Sequence, residues 1–260
     1  MARPADSPAW YGSRDDGPVK GSLSPADEKR RNEISTGLTA VRARIAAACQ
    51  AARRSPAEIT LIAVTKTRPA SDIRLLADLG VTDVGENRAQ EAAAKAAECA
   101  ALGLRLSWHF VGQLQVNKAA SVVSFASVIH SVDRLRLAAA LGSRARAAGR
   151  TVTCLVQVSL DDDPGRGGAV ADQVLPVADA IAGQDGLVLG GIMAVAPLGV
   201  PPASAFAMLS ELSAIVRSAH PAAVMISAGM SGDLEQAIEA GATHVRVGTA
   251  LLGSRQAFVR

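Results

Sequence analysis

Eight short runs rich in Val, Ile and Leu recur along this chain, separated by alanine-rich amphipathic stretches. The runs read "EITLIAVT", "VTDVGE", "LSWHFVG", "SVIHSV", "TCLVQVS", "LVLGGIMAV", "AVMISAG" and "THVRVGT", and among the stretches between them are "ASDIRLLADLG", "RAQEAAAKAAECAALG" and "PASAFAMLSELSAIVRSA". Apolar runs of this length with β-branched residues read as strands, and the stretches between them as helices that bury one face. Strands alternating with helices imply a parallel sheet covered on both sides. Eight of them in 260 residues predict a single α/β domain, the closed (β/α)8 TIM barrel. A doubly wound open sheet is the alternative, but it usually has fewer strands and a recognisable switch point.

Ahead of the first run, a helix is expected from Pro25, capped by Ser24, with Asp27 and Glu28 in its first turn and apolar positions recurring through "ISTGLTAVRARIAAACQAA". Residues 1–25 are rich in Pro, Gly, Ser and Asp and lack that periodicity, so they are expected to form a flexible tail, with residues 26–260 forming the barrel. The net charge is +3 and the basic residues are dispersed through "VRARIAAACQAARR" and "DRLRLAAALGSRARAAGR", which read as solvated helix faces. Aromatics make up only 3% of the chain, too few for a basic stripe interleaved with stacking rings, so nucleic-acid binding is not expected. Cys49, Cys99 and Cys154 are odd in number and widely spaced, which points to reduced thiols, no metal site and a cytoplasmic location. Neither a signal peptide nor a membrane span is readable.

In barrels of this kind chemistry is built on the loops after the strands. The residues there are Lys66 after the first run, Glu86 and Asn87 after the second, Gly112 and Gln113, Ser131 and Asp133, Met193, Ser227 to Ser231, and Arg246 to Thr249. "SAGMSGD" and "RVGTALLG" offer small residues, hydroxyls and helix starts, near Ser231 and at Gly248–Thr249, that suit an anion. A phosphate held after strands seven and eight is a recurrent barrel arrangement. Lys66 breaks the apolar run "LIAVTKTRP". At the mouth of an apolar barrel it would lose hydration, and its amine would become available as a nucleophile towards a carbonyl. An imine-forming lysine beside a phosphate site suggests pyridoxal 5'-phosphate, and a phosphorylated sugar aldehyde would satisfy the same features.

From Glu58 to Gly253 the chain resembles the pyridoxal phosphate homeostasis proteins, which share the barrel of the alanine racemase amino-terminal domain. The strings that carry the resemblance are "AVTKTRP", "VGENRAQE", "WHFVGQLQVNK", "HSVD", "GGIMAVAP" and "SAGMSGDLEQAIEAGATHVRVGTALLG". The resemblance implies that Lys66 holds pyridoxal 5'-phosphate as an internal aldimine. It also implies that Ser227, Gly229, Gly248 and Thr249 hold the phosphate, that Arg246 faces the pyridine nitrogen, that Asn87 lies near the ring and that Met193 walls the pocket. An arginine there disfavours protonation of the ring nitrogen and leaves the ring a poor electron sink. In "DDDPGRGG" Arg166 stands where the family commonly has lysine, so no ligand role is assigned to it.

The resemblance implies a protein of cofactor homeostasis, buffering pyridoxal 5'-phosphate or delivering it to apoenzymes that depend on it. The alternative is an amino-acid racemase, which needs proton-transfer groups on both faces of the substrate carbon. The only tyrosine, Tyr11, lies in the expected tail, and no second domain is read after the eighth run. His130 in "IHSVD" is better explained as a buried imidazole than as a base, and His109 as a core or supporting group. Asp133 is expected to cap the helix after it, and Glu86 to order its loop. The expectation is therefore a monomeric carrier without catalytic residues.

Overall fold

The structure, a computed structural model, describes residues 24–161 and 167–253. Residues 1–23 of the expected tail and Arg166 lie outside the described residues, while Ser24 and Pro25, the last two of that tail, belong to the first helix and its cap. The strands are β1 (Thr60–Val64), β2 (Asp83–Glu86), β3 (Ser107–Phe110), β4 (Val128–Val132), β5 (Val152–Gln157), β6 (Leu187–Met193), β7 (Met225–Ser227) and β8 (His244–Val247). All pair in parallel and in chain order, and β8 returns to β1 from Thr60↔His244 to Ala63↔Val247. That last register closes the barrel and excludes the open sheet. Seven of the eight runs contain one of these strands whole, and the fifth begins one residue inside β5; most strand residues are buried, as a sheet covered on both faces requires.

The helices α1 (Pro25–Ala51), α2 (Ala70–Asp78), α3 (Ala89–Ala101), α4 (Ala119–Phe125), α5 (Leu135–Ala147), α6 (Ala171–Ala182), α7 (Pro202–Ala219), α8 (Leu234–Glu239) and α9 (Thr249–Leu252) cover the strands. Their apolar faces, such as Leu137 and Leu141 of α5 and Val177 and Ile181 of α6, form one core with the outward side chains of the strands, such as Ile129, Val156 and Ile192. Inside the barrel a separate cluster of Val128, Leu155 and Met193 fills the β4–β6 side.

Ser24 caps α1 as expected, its hydroxyl accepting from the Asp27 amide at 3.1 Å. Ile34, Leu38, Val41 and Ile45 recur at helical spacing, and they pack in one cluster with Leu75 and Leu76 of α2, Ile238 of α8 and Leu251 of α9. The expectation that the arginines of this helix only face solvent is corrected. Arg30 forks onto Asp72 at 2.7 and 3.1 Å and donates to the Leu252 carbonyl at 3.1 Å. Arg44 forks onto Glu235 at 2.6 and 2.8 Å and donates to the Ser231 carbonyl at 2.9 Å. Just after the helix, Arg54 donates to the carbonyls of Ile238 and Ala242 at 2.9 and 2.7 Å. Helix ends leave carbonyls without intrahelical partners, and a guanidinium fork can satisfy several of them. As ion pairs these contacts are partly exposed and add little, but as fasteners they join α1 to both loops that follow β7 and β8.

Cys49, Cys99 and Cys154 are free and buried, and burial pushes the Cys154 thiol up to about 12. Among the described residues no His, Cys, Asp and Glu cluster could hold a metal ion, and no helix is long and apolar enough to cross a membrane.

Gly37 lets α1 approach the last loop: a Cβ there would lie 2.5 Å from the Leu251 carbonyl oxygen and 3.1 Å from that of Ala250. Gly→Ala inside a helix ordinarily stabilises by about 1 kcal/mol. Gly37→Ala is expected to lower the melting temperature instead, because backbone must move to admit the methyl group. A rise on thermal unfolding would show that α1 is not seated this closely.

Candidate functional site

Lys66 follows β1 in a turn closed by the Arg68 amide donating to the Thr65 carbonyl at 2.9 Å. Thr67, at the third position of that turn, has φ of 64°, a conformation that ordinarily belongs to Gly or Asn and that costs a β-branched residue about 1–3 kcal/mol. The surroundings hold it there. The Thr67 amide donates to Glu91 Oε1 at 2.8 Å, and buried Lys95 donates to the Thr65 carbonyl at 2.9 Å. Lys95 also pairs with Glu86 at 2.8 Å and Glu91 at 2.7 Å, while Thr65 Oγ1 donates to Glu86 Oε1 at 2.7 Å. Burial pushes the Glu86 carboxyl up, outweighing the hydrogen bonds from Lys95 and Thr65. Glu86 therefore orders its loop, and Lys95 with Glu91 fastens the backbone on both sides of Lys66. Lys66 itself is exposed, which corrects the expectation that the apolar barrel dries it.

Next to this turn lies the loop after β8. A Cβ on Gly248 would lie 3.3 Å from the Val64 carbonyl, so the loop that opens α9 abuts the end of β1. The loop after β7 joins it: Ser231 Oγ accepts from the Ala250 amide at 3.2 Å, and Arg44 holds the Ser231 carbonyl. Gly229 has φ of 88°, and a Cβ there would meet that of Ala237 at 2.7 Å, so only glycine lets the loop pack on α8. The helix start expected near Ser231 is corrected: a turn occupies residues 231–233 and α8 begins at Leu234, because Asp233 Oδ1 accepts from the Met230 amide at 2.6 Å and shapes that turn. The other expected start, Thr249 after Gly248, is found as α9.

Below these loops the barrel interior is polar. Arg246, only 5% exposed, donates to Ser227 Oγ at 2.6 Å and to the Ala194 carbonyl at 2.8 Å. Burial lowers its pKa to about 10, which leaves it cationic at neutral pH. Ser227 Oγ lies 2.9 Å from His130 Nδ1, His130 Nε2 lies 2.9 Å from His109 Nδ1, and His109 Nε2 lies 3.0 Å from Asp83 Oδ1. Burial above all, then the neighbouring His109 and Arg246, holds His130 well below the usual imidazole value. The buried imidazole expected at position 130 is present, bonded to side chains rather than to backbone.

The fold thus brings Lys66, Gly229, Gly248 and Thr249 to adjoining loops on one rim, with Arg246 and Ser227 beneath them. The Ser227 hydroxyl is fully buried between a histidine and a guanidinium, so the phosphate contact expected of it gives way to a contact with Arg246. Met193 pairs with Ser227 across β6 and β7 and packs with Val128 and Leu155. Asn87 follows β2, and its buried Oδ1 has no protein partner. Asp133 does not cap α5; it pairs with Arg134, which also donates to the Leu114 carbonyl at 2.9 Å. The sequence reading missed Lys95 and Glu91, although their i,i+4 spacing is a legible pairing signal, and it missed Asp83.

The family model described as alanine racemase, N-terminal domain, matches residues 37–256. A pyridoxal phosphate homeostasis protein of Mycobacterium tuberculosis is 45% identical over 246 residues, covering 87% of this chain and 95% of that one. Its counterpart in Escherichia coli is 37% identical over 228 residues, covering 86% and 97%. The structure of PipY from Synechococcus elongatus, with pyridoxal phosphate bound, matches at a TM-score of 0.74 and 34% identity, covering 85% of this chain and 100% of that one.

The interior histidines set a pH dependence. Burial first, then His109, lowers His244 from 6.5 to about 4. Its folded value lies below its unfolded one, so its contribution to stability is complete above pH 6.5 and is lost as pH falls towards about 4. Denaturant midpoints are expected to fall across that window, and His244→Gln should make the fall shallower. An unchanged pH slope in the variant would mean that His244 titrates alike in the folded and unfolded chain.

Proposed function

This chain belongs to the pyridoxal phosphate homeostasis branch of the alanine racemase N-terminal domain family, and from that premise we propose that its barrel mouth holds pyridoxal 5'-phosphate on Lys66 for buffering or delivery. The observation that carries the reading is the shared rim: Lys66 at the end of β1 lies beside the Gly248 loop, with cationic Arg246 on β8 beneath. The residues fit the cofactor chemically. They offer one amine, one donor-only guanidinium, a loop whose Gly229 admits no side chain, and an amide oxygen at Asn87 without a protein partner.

When bound, pyridoxal 5'-phosphate supplies an aldehyde that reacts reversibly with amines and a ring able to withdraw electrons. Lys66 supplies the amine, and the strained turn around it is kept in place by Glu91 and Lys95. Gly229, Gly248 and Thr249, on the adjoining loops after β7 and β8, cradle the phosphate. Asn87 contacts the ring and Met193 backs the floor. Arg246 can only donate, so it favours an unprotonated ring nitrogen and weakens the electron sink that racemisation needs.

The other titratable groups nearby favour a carrier over a racemase. Glu86 is tied to Lys95 and Thr65, and His130 to His109 and Ser227, so neither is free to exchange a proton with a substrate carbon. Partners are then the apoenzymes that receive the cofactor.

Incubation of the full chain with pyridoxal 5'-phosphate is expected to give a visible absorption band that borohydride abolishes, with the reduced label mapping to Lys66. Lys66→Ala should lose band and label, and alanine in deuterium oxide should gain no deuterium at Cα. A label elsewhere, or a variant spectrum equal to the parent's, would refute the assignment. Rapid Cα exchange with loss of optical activity would make the protein a racemase.

A further inference from the structure

The polar interior described above does more than fill the barrel. Four contacts, of 2.6, 2.9, 2.9 and 3.0 Å, run from Arg246 through Ser227, His130 and His109 to Asp83, crossing from β8 and β7 on one wall to β4, β3 and β2 on the other. Its two ends have fixed characters. A guanidinium only donates and an ionised carboxylate only accepts. Burial pushes the Asp83 carboxyl up, but hydrogen bonds from His109 and Thr82 outweigh it, and Asp83 lies below the usual carboxylate value.

Between such ends, with both rings neutral, one proton arrangement satisfies all four contacts, and Ser107 Oγ, 3.2 Å from His109 Nε2, accepts beside Asp83 in that arrangement. Arg246 donates to Ser227 Oγ, and the Ser227 hydroxyl donates to His130 Nδ1. His130 Nε2–H then donates to His109 Nδ1, and His109 Nε2–H donates to Asp83. The reverse arrangement would make His109 an imidazolium in a barrel that already buries Arg246, or would set a lone pair against the Asp83 carboxylate.

We propose that His130 and His109 are positioning residues: with Asp83 they form a one-way hydrogen-bond chain that points the Ser227 proton away from Arg246 and leaves a lone pair to fix the guanidinium under the cofactor ring. This rests on the reading of the mouth as a pyridoxal 5'-phosphate site. His130 touches no ligand in this scheme and acts through Ser227. Position 130 therefore needs a group that accepts where Nδ1 lies, which Asn can supply through Oδ1 and Leu cannot.

The test begins with the full chain free of ligand. Nitrogen-15 NMR of the imidazoles near neutral pH is expected to show both rings neutral, protonated at Nε2 and bare at Nδ1. A proton on Nδ1 of His130 would overturn the proposal. Titration with pyridoxal 5'-phosphate then follows the cofactor end. His130→Leu and Ser227→Ala are each expected to weaken binding about tenfold, the size of one lost hydrogen bond to a charged group, and to shift the absorption maximum. His130→Asn should restore both, with borohydride labelling of Lys66 retained throughout. Parent-like affinity and spectrum in Ser227→Ala would overturn the link to Arg246. Correct tautomers in a parent chain that takes up no cofactor would refute the reading of the mouth while leaving the proton order in place.

Discussion

One buried guanidinium organises the inside of this barrel. Arg246 sits on β8 at 5% exposure, where an unpartnered charge would be prohibitively costly. Its NH1 and NH2 groups are met by the Ser227 hydroxyl and the Ala194 carbonyl, and the Asp233 carboxylate lies close enough to favour its charge. Satisfying a cation with neutral acceptors keeps its charge available. A carboxylate partner would quench the field that a ligand meets at the rim, and an apolar replacement would pack more cheaply. Retaining a buried positive charge beneath the rim is a cost that makes sense if a ligand uses it.

The loops above depend on a second set of arginines. Arg30 and Arg44 of α1 hold the carbonyls of Leu252 and Ser231, and Ser231 in turn accepts from the Ala250 amide. A phosphate cradle made of backbone needs its loops held at fixed separation, and glycine-containing loops do not supply that stiffness themselves. On the other side of the rim, Lys95 and Glu91 fasten the strained turn around Lys66. Rigid supports on both sides of an exposed lysine suit retention of a ligand better than large rearrangement during a reaction.

The barrel was legible in the sequence because its signals are local. Short β-branched runs and amphipathic alanine-rich stretches encode strands and helices without reference to partners. Lys66 stood out for the same reason, as a cation ending an apolar run. What the sequence hid was contact at a distance. Nothing local distinguishes Arg44, which reaches Glu235 and Ser231, from a solvated helix arginine such as Arg42. The resemblance implies a phosphate contact for Ser227, but on β7 its hydroxyl is hydrogen-bonded to Arg246 and His130. Asp133 looked like a cap and is instead claimed by Arg134.

The central claim is that a donor-only Arg246 faces the ring of a bound pyridoxal 5'-phosphate and denies it the proton that strong catalysis would need. The most direct measurement is the nitrogen-15 chemical shift of cofactor labelled at the ring nitrogen and bound to the full chain. The expected shift is that of an unprotonated, hydrogen-bonded pyridine, displaced in Arg246→Glu towards the protonated form. A pyridinium shift in the parent protein would contradict the claim.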